Sequence, residues 1–244
     1  MIERVVPPGE RVFAFSQMAD AYLSREILVK YQAALNEVLG DIMLTPLYGG
    51  FQPTRLLQFQ FPRRNLRKVR VVQTAQAKDV SWGIAEMHVL EGGHELPRAP
   101  EWRLKAHPNP WDVQMAFDNS LVTRWRTWQR AEPGMFVEVD FGQAQAADSV
   151  TVETSDEGYQ TNVELEGMDP SGNWTTLAKN AQETTSRPAL SLRRAAAAEL
   201  KARGIRYVIV EREDLRSDDF QAYTALWGMK LAGETAQGRL YYIE

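Results

Sequence analysis

The chain has no cysteine. That removes disulfides, thiolate nucleophiles and cysteine zinc sites, and it leaves the redox compartment open. It has no run of about 18 to 20 apolar residues, and the opening MIERVVPPGE lacks the apolar stretch of a signal peptide. The sequence as it stands is therefore expected neither to span a membrane by a helix nor to carry its own export signal. Positive charge is not in excess either. A net charge of -4 and a pI near 5.6 argue against a general nucleic-acid binder, a class that needs a basic face. Histidine is scarce, and His88, His94 and His107 have neither the His-x-x-x-His nor the His-Glu-x-x-His spacing of a zinc site. There is no Gly-x-Ser-x-Gly elbow and no phosphate-cradling glycine loop, and Gly40, Gly49 and Gly50 are not spaced as a dinucleotide fingerprint.

What is present suffices for a core. With 244 residues, 44% of them hydrophobic, the chain can fold as one large domain or two small ones. After PPG at 7–9, RVFAF reads as a buried strand. The stretch SQMADAYLSREILVKYQAALNEVLGDIML reads as mostly helix, because Ile27, Tyr31, Ala34, Leu35 and Val38 recur at helical spacing, with Ser24 capping its second half and Gly40 marking its end. TPLYGGFQPT is a turn-rich connector. At the other end, LRRAAAAELKARG predicts a helix stopped by glycine, IRYVIVERE a buried strand, DDFQAYTALWGM a short helical segment and RLYYIE a final strand. RVFAF and IRYVIV are both short and wholly apolar, so they are expected to share one small sheet that joins the chain ends.

Between these ends the pattern changes. LLQFQF, KVRVVQT, GIAEMHVLE, MFVEVDF, SVTVETS, TNVELEGM and NWTTLA alternate apolar and polar residues and are separated by breaks such as EGGH, AEPG, DEG and DPSGN. Such a series predicts an antiparallel sandwich or barrel. The basic run RRNLRKVR at 63–70 continues this alternation and reads as a strand with a solvated Arg and Lys face. The fold class expected is mainly β with an α/β part: a sandwich at 55–180 inserted in a small α/β lobe made of 1–54 and 181–244.

AFDNSLVTRWRTW at 116–128, GMFVEVDFGQAQAADSVTV at 134–152 and DPSGNWTTLAKN at 169–180 resemble the discoidin, or coagulation factor 5/8 type C, family, whose members share a galactose-binding-like jelly roll. Asn119 and Ser120 stand where that pattern has Gly and Asn, and the Trp174 motif is one residue shorter. The closing strands of the family follow the Trp-Thr hairpin, but here their counterpart is LRKVRVVQTAQAKDVSWGIAEMHVLEGG at 66–93, upstream of it. The resemblance thus implies a circular permutation, with EGGHELPRAPEW bridging the former termini; jelly-roll ends lie close together, so the rewiring is sterically cheap. More faintly, the chain ends are similar to the soluble tail of bacterial membrane glycosyltransferases of the dolichyl-phosphate-mannose type.

The resemblance implies a structural calcium ion held by Asp118, Thr123 and Glu86 with carbonyls near Phe117 and Ser120, a hard oxygen set suited to that ion. The alternative is that Asp118 and Asn119 simply hold a tight turn. The family also implies sugar binding by end loops, for which the candidates are Trp111, Trp128, Arg126, His107 and Asn109, each equally readable as loop packing. Trp125 and Phe136 are expected in the core, with Arg124 and Arg126 pointing away. Glu164 and Glu166 lie two apart on one strand, a spacing open to acid and base work but more simply read as the solvent side of a sheet. The expectation is a non-catalytic, extracytoplasmic binding or accessory domain directed at carbohydrate, without nucleic acid as partner. The alternatives are the soluble domain of a membrane glycosyltransferase, tethered through a segment absent from this chain, and an acid/base hydrolase.

Overall fold

The computed structural model describes all residues except 17–22, 49–54, 78, 155–161 and 186–190. Parts of the first expected helix, the connector at 49–54 and the DEG turn lie outside the described residues. The chain divides into two compact units, 1–51 with 190–244, and 52–189. No helix among the described residues is long and apolar enough to cross a membrane.

The first unit opens with a short helix α1 (Ile2–Val5) and strands β1 (Arg11–Ala14) and β2 (Glu26–Val29), which pair in parallel. Here the expected long helix is corrected. Residues 26–29 read EILV, and although their spacing with Tyr31 and Val38 suits a helix, the open edge of β1 takes them as a strand, so tertiary pairing overrides local periodicity. The helix is α2 (Ala34–Leu44). Ser24 does not cap it; its backbone N–H and its hydroxyl both donate to Glu3. Gly40 lies inside α2 rather than at its end, where the buried stem of Lys30 occupies the place of a Cβ, with Cε 2.6 Å from it.

Among the described residues the second unit holds nine strands: β3 (Arg55–Gln73), β4 (Ser81–Glu91), β5 (His94–Glu95), β6 (Arg103–His107), β7 (Trp125–Arg130), β8 (Phe136–Thr154), β9 (Val163–Met168), β10 (Trp174–Ala178) and β11 (Gln182–Thr185). LLQFQF and KVRVVQT are two halves of β3, and MFVEVDF and SVTVETS two halves of β8. These long strands pair along most of their length, with register shifts between Gln60 and Arg64 and between Leu66 and Lys68. On one side of the shifts the order is β10, β9, β3, β8, β6; on the other it is β11, β3, β8, β4, with β5 and β7 on β4. Phe59, Leu66, Val69, Val71, Val137, Val139, Val150 and Val152 from both halves join one apolar cluster with Trp82 and Trp125. Alternating inward residues from two layers around one cluster make a β-sandwich. Residues 182–185 were expected with the lobe, but β11 pairs with β3, so 181–189 go with the sandwich.

The first unit resumes with α3 (Leu192–Ala202), β12 (Ile205–Glu211), α4 (Ser217–Ala222), α5 (Thr224–Trp227), β13 (Met229–Glu234) and β14 (Gly238–Ile243). Gly204, at φ +76°, supplies the left-handed residue that ends α3. β1 and β12 pair in parallel within the sheet β13, β14, β12, β1, β2, as the two apolar runs imply. The β13–β14 hairpin was not expected as two strands.

Candidate functional site

In the segment 107–130 the sequence departs most from regular alternation, and its geometry starts from Trp125. That indole is fully buried, packs edge-on against Trp82 at 5.2 Å and donates from Nε1 to the Asn109 carbonyl at 2.6 Å. Asn109 is itself buried. Its Nδ2 donates to the Arg126 carbonyl at 2.9 Å and to Asp112 Oδ2 at 2.8 Å, and its Oδ1 accepts the Trp111 N–H at 3.2 Å. Asp112 Oδ2 also accepts from Trp128 Nε1 at 3.1 Å. Asn109 thus holds the backbone at Trp111 and Asp112 the indole of Trp128, the two most exposed tryptophans at 83% and 66% exposure. Trp128 has φ +55°, a left-handed conformation rare for a bulky residue. The Arg126 guanidinium stands 5.7 Å from the Trp128 ring centroid.

Of the sugar-binding candidates, then, Trp111, Trp128 and Arg126 are grouped around Asp112, and Asn109 positions them from beneath. His107 is differently occupied: it stacks on Phe136 at 6.3 Å. Phe136, expected in the core, is only half-buried. Val137, Val139 and Phe141 take the inward positions of β8, so Phe136 stands on the other face, 5.6 Å from the Arg70 guanidinium. Asp112 was missed by sequence reasoning, although its place directly after Trp111 was the available signal.

The loop 117–123 is braced by its own side chains. Asp118 Oδ1 accepts the Ser120 N–H at 3.0 Å, the Thr123 hydroxyl donates to both Asp118 oxygens at 3.0 and 2.8 Å, and Ser120 Oγ accepts the N–H groups of Val122 and Thr123 at 3.1 Å. This is the tight turn of the simpler reading. Glu86 lies close by. A register shift between Ile84 and Glu86 lets Ile84 and Met87 both face the core and turns Glu86 outward on β4, opposite Glu153 of β8. Glu86 is 5% exposed, and neither of its carboxylate oxygens has a hydrogen-bond partner of good geometry. Burial first, and then the nearby Asp118 charge, push its carboxyl up to about 9. Orphaned buried oxygens among acidic neighbours fit a hard cation. Among the described residues no three His, Cys, Asp or Glu side chains group as a metal site, so such an ion would need Thr123 and backbone carbonyls as well.

The basic run at 63–70 is matched by acids: Arg63 with Glu91, Arg67 with Asp140, Lys68 with Glu138 and Asp140, and Arg70 with Glu166. Arg70 also lies 4.1 Å from the Trp174 ring centroid. These contacts make a neutralised face, exposed at Arg63 and Arg67 and largely covered at Lys68, Glu138 and Arg70, and they engage Glu166 as the partner of an arginine.

Residues 104–222 match the family model of the F5/8 type C domain. The sandwich is discoidin-like. F5/8 type C domains are carbohydrate- and ligand-binding modules, generally non-catalytic and typically extracellular. The match starts in β6 and runs past the sandwich into α3, β12 and α4, whereas β3 and β4, which pair with β8 in the discoidin sheet, lie upstream of it. No curated protein and no solved structure gives a significant match to the chain.

Proposed function

We propose that the discoidin sandwich binds carbohydrate through the face made by Trp111, Trp128 and Arg126, and that it works outside the cytoplasm. The observation that carries this reading is the Trp128 indole, held in solvent by its hydrogen bond to Asp112, with the still more exposed Trp111 next to Asp112 in the chain, where burial would be the ordinary outcome. Exposed indoles, that of Trp128 preset by Asp112, suit stacking on the apolar face of a pyranose, and Arg126 supplies donors for its hydroxyls. The left-handed backbone of Trp128 supports it, since such strain is kept where a function requires the placement. A glycan array tests the reading: binding that Trp111→Ala and Trp128→Ala both abolish is expected, and an array that stays blank at high protein concentration overturns it.

A calcium ion at Glu86, Asp118 and Thr123 belongs to the same reading. It would neutralise the buried carboxylates and stiffen the loop beside the sandwich. The order of the strands is accounted for by circular permutation, with β3 and β4 as the closing strands displaced to the front. The resemblance of the chain ends to glycosyltransferase tails adds a membrane tether elsewhere on the polypeptide, which the gene sequence flanking these 244 residues tests.

A further inference from the structure

We propose that the cavity between β4 and the segment 95–102 is a second ligand site of the sandwich, one that takes a single neutral pyranose or a polyol of that size. The cavity measures about 260 Å³. That is just under the usual range for drug-sized ligands, roughly 300–1,000 Å³, and leaves room for one sugar ring but not for an extended chain. Its floor is the outward face of β4, Glu86 and His88, two apart. Its walls are Glu95 and Arg98 on one side and the 117–119 loop on the other, with Trp102 at its margin.

Each polar group there is partly engaged and partly open. His88 Nδ1 is 2.8 Å from Glu95 Oε1, which fixes the ring and leaves Nε2 for a ligand hydroxyl. Arg98 spends one N–H on the Phe117 carbonyl at 3.4 Å, and the rest of its five-donor fork has no partner among the described residues. Glu86 brings two buried carboxylate oxygens that have no hydrogen-bond partner of good geometry among the described residues. The Trp102 indole is held by edge-on packing against Phe141 at 5.1 Å, so its orientation is set before any ligand arrives.

The mixture of groups selects the ligand. An anionic sugar would face Glu95, and a cationic sugar would face Arg98. Hydroxyl groups, which both donate and accept, satisfy carboxylate, imidazole and guanidinium alike. The cavity shares no residue with the Trp111 and Trp128 face. It does share Glu86 with the expected cation site, so ion and sugar would change each other's affinity reciprocally.

The test is a two-dimensional NMR titration of the whole chain, with calcium and with chelator, using galactose, glucose, mannose and fucose beside glucuronate and glucosamine. At least one neutral sugar is expected to shift the Trp102 indole N–H saturably. Arg98→Ala and His88→Ala should each weaken that binding tenfold or more, while Trp128→Ala leaves it intact. The proposal fails if no sugar moves Trp102, if a charged sugar binds more tightly than every neutral one, or if both variants bind like the parent. Loss of array binding in Trp128→Ala with retained Trp102 shifts would separate this site from the exposed tryptophan face.

Discussion

Glu86 and Glu153 are registered partners across β4 and β8, two carboxylates on the same face of one antiparallel pair, with Asp118 of the 117–123 loop near the first. Burial removes hydration and opposed like charges destabilise a sheet, so the Glu86 carboxyl is pushed up to about 9 and is held protonated at neutral pH, which costs folding free energy. Glu86→Gln keeps the shape and removes the cost of taking up that proton on folding. In chelator it is expected to be more stable than the parent by roughly 1–3 kcal/mol, read as a higher Tm. In millimolar calcium the parent should gain stability and the variant should not. Equal calcium shifts in both proteins would show that Glu86 holds no ion.

The tryptophans divide into two kinds, and stability measurements separate them. Trp125, fully buried against Trp82, should cost about 3–5 kcal/mol as Trp125→Ala. Trp111→Ala, at an 83% exposed position, should stay within about 0.5 kcal/mol of the parent while glycan binding falls. A large loss of urea stability in Trp111→Ala would mark that residue as structural and remove it from the binding face.

Gly40 in α2 gives a case in which helix propensity and packing oppose each other. Glycine to alanine inside a helix normally stabilises by about 1 kcal/mol. Here a Cβ would meet the Cγ, Cδ and Cε atoms of buried Lys30, so Gly40→Ala is expected to destabilise the chain by roughly 1–3 kcal/mol. Chemical denaturation reads the sign directly, and a more stable variant would mean that Lys30 moves aside at little cost.

Asp219 sets an acid limit on the first unit. Burial alone would raise its carboxyl, but hydrogen bonds from Arg193 at 2.9 and 2.6 Å and from Trp227 Nε1 at 2.9 Å outweigh it and hold the group below its ordinary value. The folded state then binds fewer protons than the unfolded state, so this stabilisation is full above about pH 4 and lost as pH falls through the folded-state value. Asp219→Asn should cost roughly 1.5–3 kcal/mol at pH 7. The gap between variant and parent should narrow as pH falls through the folded-state value of Asp219. A gap independent of pH would assign the loss to packing.

Much of the fold was legible because each sandwich strand buries one face, so residues such as Val69, Val71, Val137 and Val139 alternate with polar neighbours in the sequence itself. Strands with little to bury escaped notice. His94–Glu95 and Gln182–Thr185 are exposed along their length, and only their pairing with β4 and β3 makes them strands. EILV at 26–29 misled for the opposite reason, since its apolar residues fit helical spacing and a neighbouring strand edge decided the outcome.

The candidate site divides along the same line. Asp118, Thr123 and Trp125 could be singled out because they belong to one contiguous motif. The junction at Asp112, the cavity floored by Glu86 and His88, and the opposition of Glu86 to Glu153 join residues from separate segments, and no local pattern encodes which segments meet. By itself the sequence determined the two kinds of unit, the sandwich strands with a buried face and the discoidin motif, since all of these are written in periodicity and short-range order. The tertiary structure alone decided which polar residues face one another, because strand register and a shift of one residue at Ile84–Glu86 choose the face on which each side chain stands.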